Sequence, residues 1–357
     1  MALKLCLRAR ILTKQHYITA FQYFQQLFLY LTYFFIFKTF DKIYSNIIIE
    51  RQVFCMKIAV LGLGGIGGVV GSCLASKFDD IHFIARGKTL EKIKKDGLLV
   101  KSDILGEIKC TPKSVTDNPG EIGTVDVLIV CTKGYGLEAA IKECDTIIGS
   151  NTLILPLLNG INISTEVKGY TKKGICADGC IYVFANIEEP GVIRQSGSML
   201  KITAGMADGS ENTTLKTLFS MLNKANIPST YSENILVSAW DKYIMMCGNS
   251  LIFCYFDSPA GEIQPHKEKM DFAYNIYSEL TNLANLSGVN IDKDTPKKYT
   301  DTFLTLPKDT VTSLYRDIKT GSPKTEFDSI IGKAYNISRS LNADTPCINA
   351  VYKKYRG

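Results

Sequence analysis

The chain has 357 residues, 46% hydrophobic and 21% charged, which is the composition of a globular protein long enough to bury two cores. Its net charge of +6 is lopsided. Residues 1–55 hold seven Lys or Arg against Asp41 and Glu50, leaving 34 basic against 33 acidic groups in the remainder, so the globular part has no basic field for nucleic acid. Eleven cysteines form no C-x-x-C pair and only three histidines accompany them (His16, His82, His266), which argues against a metal site. Cys131 and Cys247 fall inside apolar runs and read as small core residues, and free thiols point to the cytoplasm.

Residues 1–55 differ in kind from the rest. A basic start (Lys4, Arg8, Arg10, Lys14) leads into an aromatic-rich stretch at 21–37, but its uninterrupted apolar part, 27–37, is shorter than the ~20 residues a spanning helix needs. No small-residue cleavage site follows. The expectation is a non-globular extension translated from a start placed upstream of Met56, with a marginal membrane anchor as the alternative. A membrane partner is expected only if this extension is native.

From Met56 the chain alternates strand and helix patterns. An apolar strand at 57–61 runs into Gly62-Leu63-Gly64-Gly65-Ile66-Gly67, and a helical stretch follows at 69–77. In that context Gly62 allows the tight turn off the strand, Gly64 lets the backbone approach a pyrophosphate, and Gly67 lets the helix pack closely on the sheet. The helix N-terminus offers free N–H groups to phosphate. A second strand, 81–86, ends at Arg86, where an NAD site usually places an acid on the ribose. A guanidinium there, with Lys88 beside it, suits the 2′-phosphate of NADP. Asp79 and Asp80 precede the strand.

Further strands at 125–131 and 152–157, short and rich in Ile, Val and Leu, mark a buried parallel sheet. Ligands bind beyond the carboxyl ends of such strands, so Lys133 after the third and Asn159-Gly160 after the fourth become candidates; a solvated cation and a simple turn are the plain alternatives. Between 181 and 204, turn signals at Pro190-Gly191 and Ser196-Gly197-Ser198 predict hairpin-connected strands appended to the sheet. After residue 228 the period is helical: Phe272, Ile276, Leu280 and Leu283 in one segment, and Phe327, Ile330, Ala334, Ile337 and Leu341 in another. The fold expected is α/β, with an N-terminal Rossmann-type dinucleotide-binding domain (56–228) and an all-α C-terminal domain (229–357).

The stretch 235–256 is apolar on nearly every face, which marks a buried helix, yet it contains Asp241 and Lys242. A partly desolvated lysine has a lowered pKa and serves as a proton donor. Helical spacing places Met246, Asn249 and Ser250 on its face. The alternative is a lysine that snorkels to solvent or pairs with Asp241.

These landmarks together resemble the ketopantoate reductase family (2-dehydropantoate 2-reductase) over nearly all of residues 56–357. They comprise the glycine turn, Arg86, Lys133 in Cys131-Thr132-Lys133-Gly134-Tyr135, and Asn159-Gly160. Pro190-Gly191-Val192-Ile193, Trp240-x-Lys242, Ser313-Leu314-Tyr315-Arg316-Asp317 and Thr325-Glu326 complete them. The resemblance implies NADPH-dependent reduction of a small 2-keto acid, ketopantoate to pantoate, on the route to pantothenate and coenzyme A. It assigns Lys242 as general acid, and Glu326 as a contact to the substrate hydroxyl that also helps hold the lysine. Asn159 and Lys133 would face nicotinamide and substrate. Asn249, Ser250 and Ser313 are the further substrate candidates, while residues 62–67 and Arg86 would hold the cofactor. A homodimer is the assembly considered. Many family members carry asparagines four and eight residues after the lysine, where this chain has Met246 and Ser250, and the interval from Ser313 to Glu326 is one residue longer than usual. Those departures bear on the substrate. A same-fold reductase of another branched 2-keto acid, and a non-catalytic NADPH-binding regulator, are the competing readings. Retention of Lys242 and Glu326 speaks against the regulator.

Overall fold

The computed structural model describes residues 56–356, which belong to one compact unit. The expectations for residues 1–55 lie outside the described residues. Strand β1 (Ile58–Leu61) enters a glycine turn and helix α1 (Gly65–Ala75), then β2 (Ile81–Ile84) and α2 (Gly87–Asp96) follow. A hairpin of β3 (Leu98–Ser102) and β4 (Gly106–Cys110) comes next, then β5 (Ser114–Thr116), β6 (Val127–Val130) and α3 (Leu137–Glu143). After β7 (Leu153–Pro156) come α4 (Ile163–Tyr170) and the short β8 (Ile175–Cys176). The first sheet is six-stranded, in the order β5-β2-β1-β6-β7-β8, and every pairing is parallel. Its central strands β1, β6 and β7 are buried throughout, which is why they read as unbroken apolar runs rather than alternating ones.

A second sheet is where the structure departs from the sequence reading. The long hairpin β9 (Asp178–Glu189) and β10 (Val192–Gly205) does not extend the first sheet. Instead β10 pairs antiparallel with β9 on one side, and parallel with β3 and with β11 (Ser229–Tyr231) on the other, β4 closing the edge beside β3. Ser229–Tyr231 thus belongs to this sheet, although the sequence reading begins the helical part at 229. Helix α1 carries close contacts to both sheets: a Cβ on Gly67 would overlap the Gly62 carbonyl, and one on Gly65 the Ala185 carbonyl of β9. Only glycine allows both approaches.

After α5 (Thr213–Lys224), capped by the Asn212 side chain, the chain becomes helical. Helix α6 (Ile235–Phe256) matches the apolar stretch read from sequence and is followed by α7 (Ala260–Ile263), α8 (Lys267–Leu286), α9 (Thr295–Leu304) and α10 (Ser313–Lys319). A π-type turn at Asp328–Gly332 then leads into α11 (Lys333–Ser340), and α12 (Pro346–Arg356) ends the described chain. Trp240, Tyr243, Phe253, Tyr277, Phe303 and Phe327 are buried in the core around α6. The Glu166–Lys333 ion pair between α4 and α11 links the two halves, and within the helical half the Tyr243 hydroxyl donates to the Ile330 carbonyl at 2.7 Å.

Candidate active site

The site assembles at the carboxyl ends of β1, β6 and β7. Gly62 turns the chain with φ +92°, and a Cβ there would crowd the Cys131 carbonyl at 3.0 Å. Gly64 is different, since a Cβ on it would meet nothing within 4 Å. The first turn of α1 therefore presents unbonded N–H groups to open space, as anion binding requires. Beside it, the Thr132 hydroxyl is buried with no hydrogen-bond partner among the described residues; the sequence reading passed over it, because a threonine within an apolar strand end carries no signal of its own. An orphaned buried donor against a glycine turn fits a dinucleotide phosphate or ribose. Leu63 and Ile66 contribute backbone at this turn, Leu63 being buried. Arg86 stands at the end of β2 as the residue before α2 and pairs with Glu143, both side chains exposed.

Lys133 follows β6, and its ammonium donates to Glu326 Oε2 at 2.8 Å, with Asp317 Oδ2 at 3.8 Å. The Glu326 side chain is only 3% exposed while that of Lys133 is 48% exposed. Desolvation pulls the Lys133 pKa down, but the Glu326 and Asp317 carboxylates outweigh it and raise the value. The loop is held close: a Cβ on Gly134 would meet Ser329 Oγ at 2.7 Å. Ser313 opens α10, exposed, one turn before Asp317 on the same helix.

Lys242 sits in the second turn of α6, and its ammonium donates to Asn159 Oδ1 at 3.3 Å. It lies 5.7 Å from the centre of the Tyr182 ring of β9. Burial pulls its pKa down, with Cys180 and Glu326 opposing in part. The pairing with Asp241 considered above is not formed, since Asp241 pairs with Lys298 at 3.1 Å. Glu326 likewise acts on Lys242 only as a nearby charge, while its direct partner is Lys133. The structure thus brings Lys242 to Asn159 and Lys133 to Glu326. Leu158, Gly160, Cys180, Lys242, Tyr243 and Met246 line a crevice between the halves. Asn249 and Ser250 are otherwise engaged: Asn249 Oδ1 accepts from the Tyr277 hydroxyl at 2.5 Å, and the Ser250 hydroxyl donates to the Met246 carbonyl at 2.9 Å.

A parallel sheet with a glycine turn at its switch point, facing a helical half that delivers a desolvated lysine, defines a dinucleotide-dependent reductase. Comparison narrows the class. Residues 58–209 match the family model described as ketopantoate reductase PanE/ApbA, and residues 234–357 match its C-terminal counterpart, so the chain belongs to the ketopantoate reductase family of oxidoreductases. It is 28% identical over 294 residues to the 2-dehydropantoate 2-reductase of Pyrococcus horikoshii, covering 82% of this chain and 93% of that one. It is 25% identical over 297 residues to an uncharacterized oxidoreductase, YkpB, of Bacillus subtilis, covering 83% and 97%. The crystal structure of 2-dehydropantoate 2-reductase from Porphyromonas gingivalis superimposes with a TM-score of 0.74 at 27% identity, over 85% of this chain and 99% of that one. Among the described residues no helix is long and apolar enough to cross a membrane, and the nine described cysteines are all free.

Proposed function

We propose that the chain catalyses the NADPH-dependent reduction of 2-dehydropantoate to pantoate, on the route to coenzyme A, in the cytoplasm. The observation that carries this reading is the Lys242 ammonium, drawn out of water and held 3.3 Å from Asn159 beside the carboxyl ends of the sheet strands. The reduced nicotinamide supplies hydride to the keto carbon when bound. Negative charge then develops on the keto oxygen, where the Lys242 ammonium stabilises it and gives up a proton. Asn159 orients that ammonium. Glu326 keeps charge near Lys242 and receives the substrate hydroxyl, while Lys133 and Ser313 hold the acid's polar end. Residues 62–67 and Thr132 hold the pyrophosphate side of the cofactor, and Arg86 with Lys88 the 2′-phosphate. In this reading residues 56–228 bind cofactor and 229–357 supply the acid and most of the substrate wall.

The test is reduced-nicotinamide oxidation by the full chain with ketopantoate and a panel of 2-keto acids, NADPH against NADH, with Lys242→Ala alongside. General acid catalysis contributes roughly 10²–10⁴-fold, so the variant should lose kcat by that factor while still binding NADPH. NADPH binding without turnover of any acid would replace this reading with the non-catalytic regulator. A second reading, reduction of another branched 2-keto acid, is favoured by Met246 in the crevice beside the lysine.

A further inference from the structure

We infer that Tyr182 is a positioning residue, the face of its ring holding Lys242 in the ammonium form from which the proton is delivered. The inference rests on the reductase reading and adds a residue to it. Tyr182 and Cys180 stand two apart on β9 and so share one face of that strand. Cys180 lines the crevice at Lys242, and the Lys242 ammonium stands over the Tyr182 ring, 5.7 Å from its centre. That lies within the ~6 Å over which a ring face attracts a cation, and the attraction grows as the cation is drawn out of water. Burial raises the Tyr182 pKa, so the ring carries no phenolate charge near neutral pH and acts through its face.

The charged and titratable groups around that ammonium are otherwise engaged. Asp241, beside it on α6, pairs with Lys298 of α9 at 3.1 Å, and Glu326 pairs with Lys133 at 2.8 Å. The Tyr243 hydroxyl is donated to the Ile330 carbonyl, and that of Tyr299 to the Asp241 carbonyl at 3.0 Å. Burial raises the Cys180 pKa and leaves a neutral thiol. Lys242 therefore faces a neutral amide oxygen at 3.3 Å, a thiol and an aromatic face. A carboxylate in the ring's place would raise the lysine's pKa and make it a weaker acid. The ring attracts the cation less strongly and cannot take its proton, so the donor stays loaded without being held back.

The test follows kcat/KM against pH for the full chain with NADPH and ketopantoate. It compares Tyr182→Phe, Tyr182→Leu and the chain carrying 3,4,5-trifluorophenylalanine at position 182, a ring of nearly the same shape with an electron-poor face. Removing the ring's attraction lowers the lysine's pKa, so the falling alkaline limb moves to lower pH. The shift should be absent in Tyr182→Phe, about half a pH unit with the fluorinated ring, and about one unit in Tyr182→Leu. The rate of Lys242 acetylation against pH, read by peptide mass spectrometry, should show the same shifts without turnover, and NADPH titration confirms that each variant is folded. A limb and an acetylation midpoint that stay together for the Phe and fluorinated variants overturn the inference and leave the reductase reading intact. Shifted acetylation in a chain that reduces no 2-keto acid supports the contact and overturns the reductase reading alone.

Discussion

Replacing Lys133 with alanine removes the ammonium that faces the most buried carboxylate in the site. At 2.8 Å the Lys133–Glu326 pair has a gross attraction of about 6 kcal/mol at an effective dielectric of ~20. Most of that is offset by desolvation, and the 48% exposure of Lys133 moves the pair toward surface bridges worth about 0–1 kcal/mol. The 3% exposure of Glu326 moves it the other way, toward the roughly 3–5 kcal/mol lost when one member of a fully buried pair is deleted. A net cost of about 2 kcal/mol follows for Lys133→Ala. With an unfolding entropy of ~2.1 cal/mol/K per residue over about 300 residues, that is a fall in Tm of roughly 3 °C. Glu326→Gln leaves no uncompensated charge and should cost less. The double variant should be more stable than Lys133→Ala alone, because the stranded carboxylate is gone. Thermal unfolding of the four proteins followed by circular dichroism completes the cycle. An unchanged Tm for Lys133→Ala, or an equal cost of Glu326→Gln in both backgrounds, would refute the reasoning.

Three further outcomes are expected. Gly64→Ala should leave Tm within about 2 °C of the parent, since its Cβ meets nothing within 4 Å, yet weaken NADPH binding at least tenfold as measured by fluorescence titration; Gly67→Ala, whose Cβ overlaps the Gly62 carbonyl, should lose several degrees of Tm as well. Arg86→Ala should raise the Kd for NADPH by about tenfold, the lower end for a charge-assisted contact at an exposed site, with little change for NADH; equal effects on both cofactors would remove Arg86 from the 2′-phosphate. The pH dependence follows from Lys242, whose pKa burial lowers from the ordinary 10.5. The reductive direction needs the ammonium, so kcat/KM should hold at low pH and fall as pH rises through that lowered value, earlier than for an ordinary lysine. Glu326→Gln removes a charge that raises it, so the falling limb should move to lower pH; a limb unmoved or moved upward would contradict the coupling.

The four main strands of the first sheet were legible because burial on both faces leaves a plain trace, unbroken apolar runs in β1, β6 and β7 and one interrupted only by His82 in β2; the short edge strands β5 and β8 were not read. The second sheet was legible only in part: the turn at Pro190-Gly191 marked the β9–β10 hairpin, but not that it belongs to a separate sheet. Strand β9 mixes Tyr182 and Phe184 with Asn186, Glu188 and Glu189 because part of it is buried and part exposed, so neither alternation nor an apolar run marks it. The partners of β10 on its other side, β3 and β11, are about a hundred and about thirty residues away in sequence, a distance that local pattern does not span. The same limit explains the ion pairs. Lys133 and Glu326, 193 residues apart, were each singled out, but that they pair with one another rather than through Lys242 is decided by how the loop after β6 closes on the turn before α11.

Helix α6 shows why Lys242 in particular carries the chemistry. A helix whose core-facing side is this apolar tolerates a polar side chain only where a partner is supplied, and the assignments along it can be followed one by one. Asp241 is satisfied outward by Lys298, Asn249 by Tyr277 of α8, and Ser250 by the carbonyl of Met246 within the helix. Each of these partners lies in the helical half. Lys242 alone among them takes its partner, Asn159, from the other half, at the end of a parallel strand. Such a lysine stabilises the helical fold less than an apolar residue would, because its desolvation is only partly offset by a single 3.3 Å contact to a neutral oxygen. A negative partner within bonding distance is what that ammonium lacks, and a keto oxygen acquiring charge during reduction would supply one only as the reaction proceeds.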